Sequence, residues 1–90
     1  MSVYPPEPRL SHREVLSRVA DGQVHRYADP ISKWSAPGRR GYRAMVTVQM
    51  RALIRDGLAV EGEARGMVVF AAITDAGRAL LDSLQEGAPA

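Results

Sequence analysis

Side chains that can bind a polyanion recur every four residues in the middle of the chain. They are Arg43, Thr47, Arg51 and Arg55. A guanidinium group can donate two parallel hydrogen bonds to a phosphate or to a guanine edge, and a threonine can bond a base or contact a thymine methyl group. Four-residue spacing puts side chains on one side of an α-helix. The stripe therefore indicates a DNA-contacting helix face, although arginine is also common on solvated helix faces because it is a good helix former.

The same segment has an apolar side, which predicts an amphipathic helix over residues 42–56 that ends at Gly57. The predicted inward residues are Tyr42, Val46, Gln49, Met50 and Leu53. Met45 and Met50 are expected to fill the core around this helix. Arg39 and Arg40 come just before its predicted start, where backbone N–H groups and the helix dipole favour a phosphate.

Charge is unevenly distributed along the 90 residues, although the net charge is only +2. Residues 9–55 contain ten basic and three acidic side chains, whereas residues 56–90 contain two basic and six acidic ones. This asymmetry favours a polyanionic partner for the first part, with a solvated surface as the alternative. The absence of cysteine excludes a disulfide framework and a thiolate metal site.

Three further elements are predicted before the arginine stripe. Ser11 and Glu14 have the spacing of a capping box and start a helix over residues 12–21, with Leu10 and Val15 as a hydrophobic staple. Weak alternation predicts a short strand within residues 23–27. Asp29-Pro30 predicts a short helix at about 30–36, which would turn Ile31 and Trp34 inward, and a turn follows at 38–41.

After the stripe, residues 58–60 and 67–73 are apolar runs joined by a glycine-containing segment, which predicts a β-hairpin. Arg65 lies near its expected tip together with Glu61 and Glu63, so a phosphate contact by Arg65 and a purely structural hairpin are both open. Thr74 is predicted to cap a last helix at 75–86. The predicted inward residues of that helix are Ala76, Leu80, Leu81 and Leu84.

The order of elements predicts an α+β fold of the winged helix-turn-helix type, with three helices, a β-hairpin wing and a C-terminal helix. The short strand and the hairpin would form a three-stranded sheet. Residues 1–10 are predicted to be an extended proline-rich arm, residues 11–86 the domain and residues 87–90 a disordered tail.

Two segments resemble bacterial winged-helix regulators. Residues 50–60 (MRALIRDGLAV) look like the end of a recognition helix that runs into the first wing strand, and residues 73–81 (ITDAGRALL) are similar to the segment after the wing in MarR-like and PadR-like proteins. The resemblance implies that Arg43, Thr47 and Arg51 enter a groove. Arg39, Arg40 and Arg55 would lie nearer phosphates.

The sequence thus predicts a cytoplasmic, non-enzymatic protein that binds double-stranded DNA as a homodimer and regulates transcription. A winged-helix adaptor that binds another protein is the alternative. No cofactor, metal ion, membrane or small-molecule ligand is expected. His12 and His25 lack the spacing of a zinc site, and 90 residues leave no room for the long dimerisation helices and ligand pocket of MarR-like proteins.

Overall fold

Three helices and five strands make up the part of the chain that a computed structural model describes, residues 9–28 and 33–86. Their order is α1 (His12–Ala20), β1 (His25–Tyr27), β2 (Ser35–Pro37), β3 (Arg43–Met45), α2 (Thr47–Arg55), β4 (Ala59–Arg65), β5 (Val68–Ile73) and α3 (Asp75–Glu86). The strands form one antiparallel sheet in the order β3-β2-β1-β5-β4, so the fold is α+β. Most of the predicted arm, the predicted tail and residues 29–32 lie outside the described residues.

The start of α1 confirms the predicted capping box. The Ser11 hydroxyl accepts the Glu14 N–H at 3.1 Å, and the Glu14 carboxylate accepts the Ser11 N–H at 3.1 Å. These two bonds satisfy backbone N–H groups that have no partner inside the helix. Leu10 and Val15 are both buried in the same apolar cluster, as expected for a hydrophobic staple.

The middle of the chain corrects two predictions. Residues 35–37 form a strand where the end of a helix at 30–36 was predicted, and residues 43–45 form a strand where the helix at 42–56 was predicted to begin. The two strands pair as a hairpin, with Ala36 opposite Ala44, and both alanines are buried. The pairing and the burial of these two alanines outweigh the local helix propensity of the segment.

Alternate residues of the sheet point to one side, which we call the core face, defined by Val24, Arg26, Trp34, Ala36, Ala44, Ala59, Glu61, Val69, Ala71 and Ile73. The helices bury their apolar side chains against it: Val15, Leu16, Val19, Met50, Leu53 and Leu81. Trp34 was correctly predicted to lie in the core. The predicted three-stranded sheet is present as β1-β5-β4, extended by the β2–β3 hairpin.

The start of α3 is fixed to the end of α2. The Thr74 hydroxyl accepts the Gly77 N–H at 3.0 Å, which confirms the predicted cap, and donates to the Gly57 carbonyl at 2.7 Å. A Cβ atom on Gly77 would lie 2.9 Å from the Ile73 side chain and closer still to the Leu58 carbonyl oxygen. The glycine therefore allows α3 to approach the backbone at Leu58.

Only one of the four residues predicted to face inward from α3 is buried. Leu81 packs in the core, whereas Ala76, Leu80 and Leu84 are exposed. Gly77 and Leu81, four residues apart on one side of α3, are buried, so the neighbouring stripe of Ala76, Leu80 and Leu84 is turned away from the core.

Replacing Gly77 by alanine should destabilise the fold by about 1–3 kcal/mol, because the added methyl group meets backbone that cannot move cheaply. Helix propensity alone predicts the opposite sign, a gain of about 1 kcal/mol. Urea unfolding of Gly77→Ala measures the difference. Ala79→Gly, at an exposed position of α3, is the control for propensity, with an expected loss of about 1 kcal/mol. A Gly77→Ala protein more stable than the unsubstituted one would contradict the close approach.

Candidate nucleic-acid interface

The outer face of α2 is formed by Val48, Arg51, Ala52 and Arg55. Val48 and both arginines are exposed, while Met50 and Leu53 on the other side are buried. The Gln49 amide donates to the Leu10 carbonyl at 2.8 Å and so fixes the rotation of the helix about its axis. Arg51 and Arg55 are four residues apart and leave the helix in the same direction, which gives α2 a basic, solvent-facing side.

Thr47 is the first residue of α2, whereas the prediction placed it inside a helix that began at residue 42. Its hydroxyl accepts the backbone N–H of Trp34 at 3.1 Å, and the Val46 N–H donates to the Trp34 carbonyl at 2.9 Å. Thr47 is partly buried. Its side chain therefore joins the start of α2 to the segment that precedes β2.

Arg43 is not on the helix, which corrects the predicted stripe. It lies on β3 next to Ala44, and because successive strand residues point to opposite sides of a sheet, the exposed Arg43 side chain points away from the core face. α2 lies on the core side. Arg43 and Arg51 therefore belong to opposite surfaces of the molecule.

Arg39 and Arg40 also lie away from the start of α2. They occupy the turn between β2 and β3, which Gly38 closes by donating its N–H to the Tyr42 carbonyl at 2.7 Å. Arg39 binds the Glu14 carboxylate, with its Nε donating to Oε2 at 2.6 Å. The predicted phosphate site before the helix is thus wrong, because a strand separates these arginines from α2.

Two other predicted arginines are in exposed ion pairs. Arg55 lies 3.2 Å from Asp56, and Arg65 lies 3.9 Å from Glu63. Exposed ion pairs of this kind contribute about 0–1 kcal/mol to stability. An arginine can therefore readily exchange its carboxylate partner for a phosphate. Within the described residues, Arg43 and Arg51 have neither an ion pair nor a side-chain hydrogen bond.

The predicted β-hairpin is confirmed as β4–β5, although its turn is only Gly66 and Met67, and residues 61–65 of the predicted connecting segment belong to β4. Arg65 is next to this turn. Glu61 bonds Arg26 at 2.8 Å on the core face, where the Arg26 guanidinium lies 5.5 Å from the Trp34 ring. A β-bulge between Glu61 and Ala64 interrupts the register.

Sequence reasoning missed the second exposed side of the sheet. Met45 was predicted to fill the core, but it lies on β3 beside Arg43, pointing away from the helices, and is exposed. Tyr27 and Phe70 point to that side as well. The strands β2 and β3 have three residues each, which is too short for their alternation to be recognised in the sequence.

Among residues 9–28 and 33–86, no group of three or more histidine or acidic side chains is arranged to hold a metal ion. No helix in these two segments combines the length and apolar composition needed to cross a bilayer.

Comparisons with known proteins give no relative. No family model, no curated protein and no solved structure matches the chain. The site must therefore be interpreted from its own geometry.

The Glu14–Arg39 pair makes the stability of the fold depend on pH. The hydrogen bond from Arg39, followed by that from the Ser11 N–H, lowers the pKa of Glu14 from 4.5 to about 2. Because the pKa of Glu14 is lower in the folded protein than in the unfolded chain, the ionised carboxylate stabilises the fold above pH 4.5. This contribution to stability is lost as the pH falls toward 2.

Glu14→Gln keeps a residue that can complete the capping box but removes the charge that Arg39 binds. We expect it to lower the free energy of unfolding by about 0.5–1 kcal/mol near pH 7 and to have almost no effect near pH 2. Chemical denaturation across this pH range measures both values. A difference that does not change with pH would contradict the ion pair.

Proposed function

We propose that this protein binds double-stranded DNA through the outer face of α2 and acts as a transcriptional regulator. The observation that carries the proposal is the side of α2 with Arg51 and Arg55, opposite buried Met50 and Leu53. An α-helix is about 10–12 Å in diameter, and the major groove of B-DNA is about 12 Å wide. Arg51 can then pair with a guanine edge, and Val48 can contact a thymine methyl group.

The surrounding elements support a variant of the winged helix. α1, β1, α2, the β4–β5 hairpin and α3 follow in the order predicted for that fold, and β1, β5 and β4 are neighbours in the sheet. The arrangement departs from it before α2. The β2–β3 hairpin stands where the end of a short helix was expected, so the predicted helix-turn-helix pair is not present among the described residues, and the sheet has five strands where three were predicted. On this proposal the β4–β5 hairpin is the wing, but Arg65 beside its turn points to the side of the sheet away from α2 and is not part of the duplex interface.

A homodimer would supply the contact area that one short helix lacks, since single DNA-binding modules bury only about 600–1,000 Å². The exposed stripe of α3 favours this assembly. Leu80 is 39% and Leu84 38% exposed, one helical turn apart. Two copies joined through these leucines would place two α2 helices on a two-fold symmetric site.

Binding to DNA should depend steeply on salt. If a dimer neutralises about five phosphates, the logarithm of the association constant falls with the logarithm of the salt concentration at a slope of roughly −4 to −5. Arg51→Ala should weaken a preferred duplex by about 1–3 kcal/mol and relax selectivity at one base pair. Arg78→Ala, which removes an exposed arginine from α3, is the matched control. Fluorescence anisotropy with duplexes selected from random DNA measures each effect.

A flat salt dependence, or equal affinity of the Arg51→Ala and Arg78→Ala proteins, would reject the DNA-binding surface and favour a protein-binding adaptor instead.

The dimer has its own test. Leu80→Lys places a charge in the middle of the α3 stripe and should shift the protein to the monomer in sedimentation velocity without unfolding it. Met67→Lys changes a more exposed apolar residue, in the β4–β5 turn, and should leave the dimer intact. Identical sedimentation of the two variants would exclude α3 as the contact.

A further inference from the structure

The side of the sheet opposite the helices forms a second surface, which we call the open face. Its strand residues are His25, Tyr27, Ser35, Pro37, Arg43, Met45, Val60, Glu63, Arg65, Val68, Phe70 and Ala72. All three helices pack their buried side chains on the core face. Tyr27, Met45 and Val60 are each about half exposed, at 51%, 48% and 46%. The open face is therefore apolar, accessible and independent of α2.

Three rings are grouped at the centre of this face. Phe70 is directly opposite His25 on the neighbouring strand, with ring centroids 6.2 Å apart and planes tilted by 46°. Tyr27 follows on the same strand as His25, edge to face at 6.5 Å. Phe70 and His25 are partly buried, so they support a platform from which the more exposed Tyr27 ring projects.

The open face carries two arginines and one carboxylate among the described strand residues. Arg43 lies on β3 at one edge of the sheet and Arg65 on β4 at the other, with the Arg65 guanidinium 5.6 Å from the Phe70 ring. Glu63 is an acidic residue on the same side, because it lies in the β4 bulge opposite Phe70, between Glu61 and Ala64, whose side chains point to the core side. Glu63 lies 3.9 Å from Arg65, but it is exposed, and such a pair is weak.

We propose that the open face binds single-stranded DNA. Aromatic rings stack with unpaired bases regardless of sequence, while arginines along the path of the strand bind its phosphates. The rings lie between the two arginines, and the five strands span about 19 Å, enough for several nucleotides. A duplex does not fit, because its bases are stacked within the helix and cannot reach Tyr27.

A ribose strand would be favoured only if the face held a group placed to bind its 2′-hydroxyl. Recognition of a ribose 2′-hydroxyl needs a hydrogen-bonding group near the backbone. Ser35 supplies a hydroxyl on the open face, but this residue is only 5% exposed. Stacking on Tyr27 and phosphate binding by the arginines need no 2′-hydroxyl, so we assign a strand of DNA to the face.

The test is fluorescence anisotropy of a labelled oligothymidylate of about twelve nucleotides, at low salt, with the full chain. The Tyr27→Ala protein lacks the ring on which one base stacks, so it should bind the oligonucleotide about fivefold to a hundredfold more weakly. Tyr27→Phe, which keeps the ring, should bind within about twofold of the unsubstituted protein. Tyr42→Ala is the matched control, because Tyr42 is equally exposed (55%) but lies in the turn before β3.

Circular dichroism establishes that each variant is folded. The proposal is overturned if Tyr27→Ala and Tyr42→Ala bind the strand equally, or if the unsubstituted protein does not bind it. Tighter binding of an oligouridylate would overturn the assignment to DNA. If the protein forms a dimer that Tyr27→Ala abolishes, the proposal is also overturned, because a second copy of the chain would then cover the open face. Arg51→Ala should leave this binding unchanged, so failure here is distinguishable from failure of the duplex-binding proposal.

Discussion

The burial of alternate strand residues under three short helices is the constraint on which the rest of the structure depends. The sheet sends small or branched side chains such as Ala36, Ala44 and Val69 to one side, where α1, α2 and α3 exclude water. Arg26 of β1 and Glu61 of β4 form an ion pair on the same side. The helices have nine, nine and twelve residues, so they cover one side of a five-stranded sheet and leave the other to solvent. One core thus produces two surfaces: the outer face of α2 and the open face.

This constraint also separates the arginines that the sequence appears to group. A spacing of four residues fits both the helical repeat and the alternation of a strand, because four is a multiple of two. Arg43 and Thr47 have that spacing, and so have Tyr42 and Val46. The structure ends the strand at Met45 and starts the helix at Thr47, which puts Arg43 on the sheet and Arg51 on α2. The sequence could not resolve this ambiguity, because the deciding interaction is the pairing of Ala44 with Ala36.

Elements with local signals were predictable. The Ser11–Glu14 capping box, the Thr74 cap and the β4–β5 hairpin use bonds or patterns within a few residues. The two caps are present as predicted, and the hairpin is present with a longer first strand and a shorter turn than predicted. The β2–β3 hairpin was not predictable, because its strands are three residues long and the preceding Asp29-Pro30 is typical of a helix start. The Glu14–Arg39 pair joins positions 25 residues apart and depends on that hairpin, so no local pattern could indicate it.

The central claim is that the arginines on the outer face of α2 contact duplex DNA while the core behind them stays unchanged. Amide chemical-shift mapping of the isotopically labelled protein, titrated with a selected duplex, tests it most directly. The claim predicts that the largest shifts fall at Val48, Arg51 and Arg55, with the buried amides of Val24 and Ala71 unmoved. Shifts confined to other elements, or a spectrum that does not respond to the duplex, would contradict it.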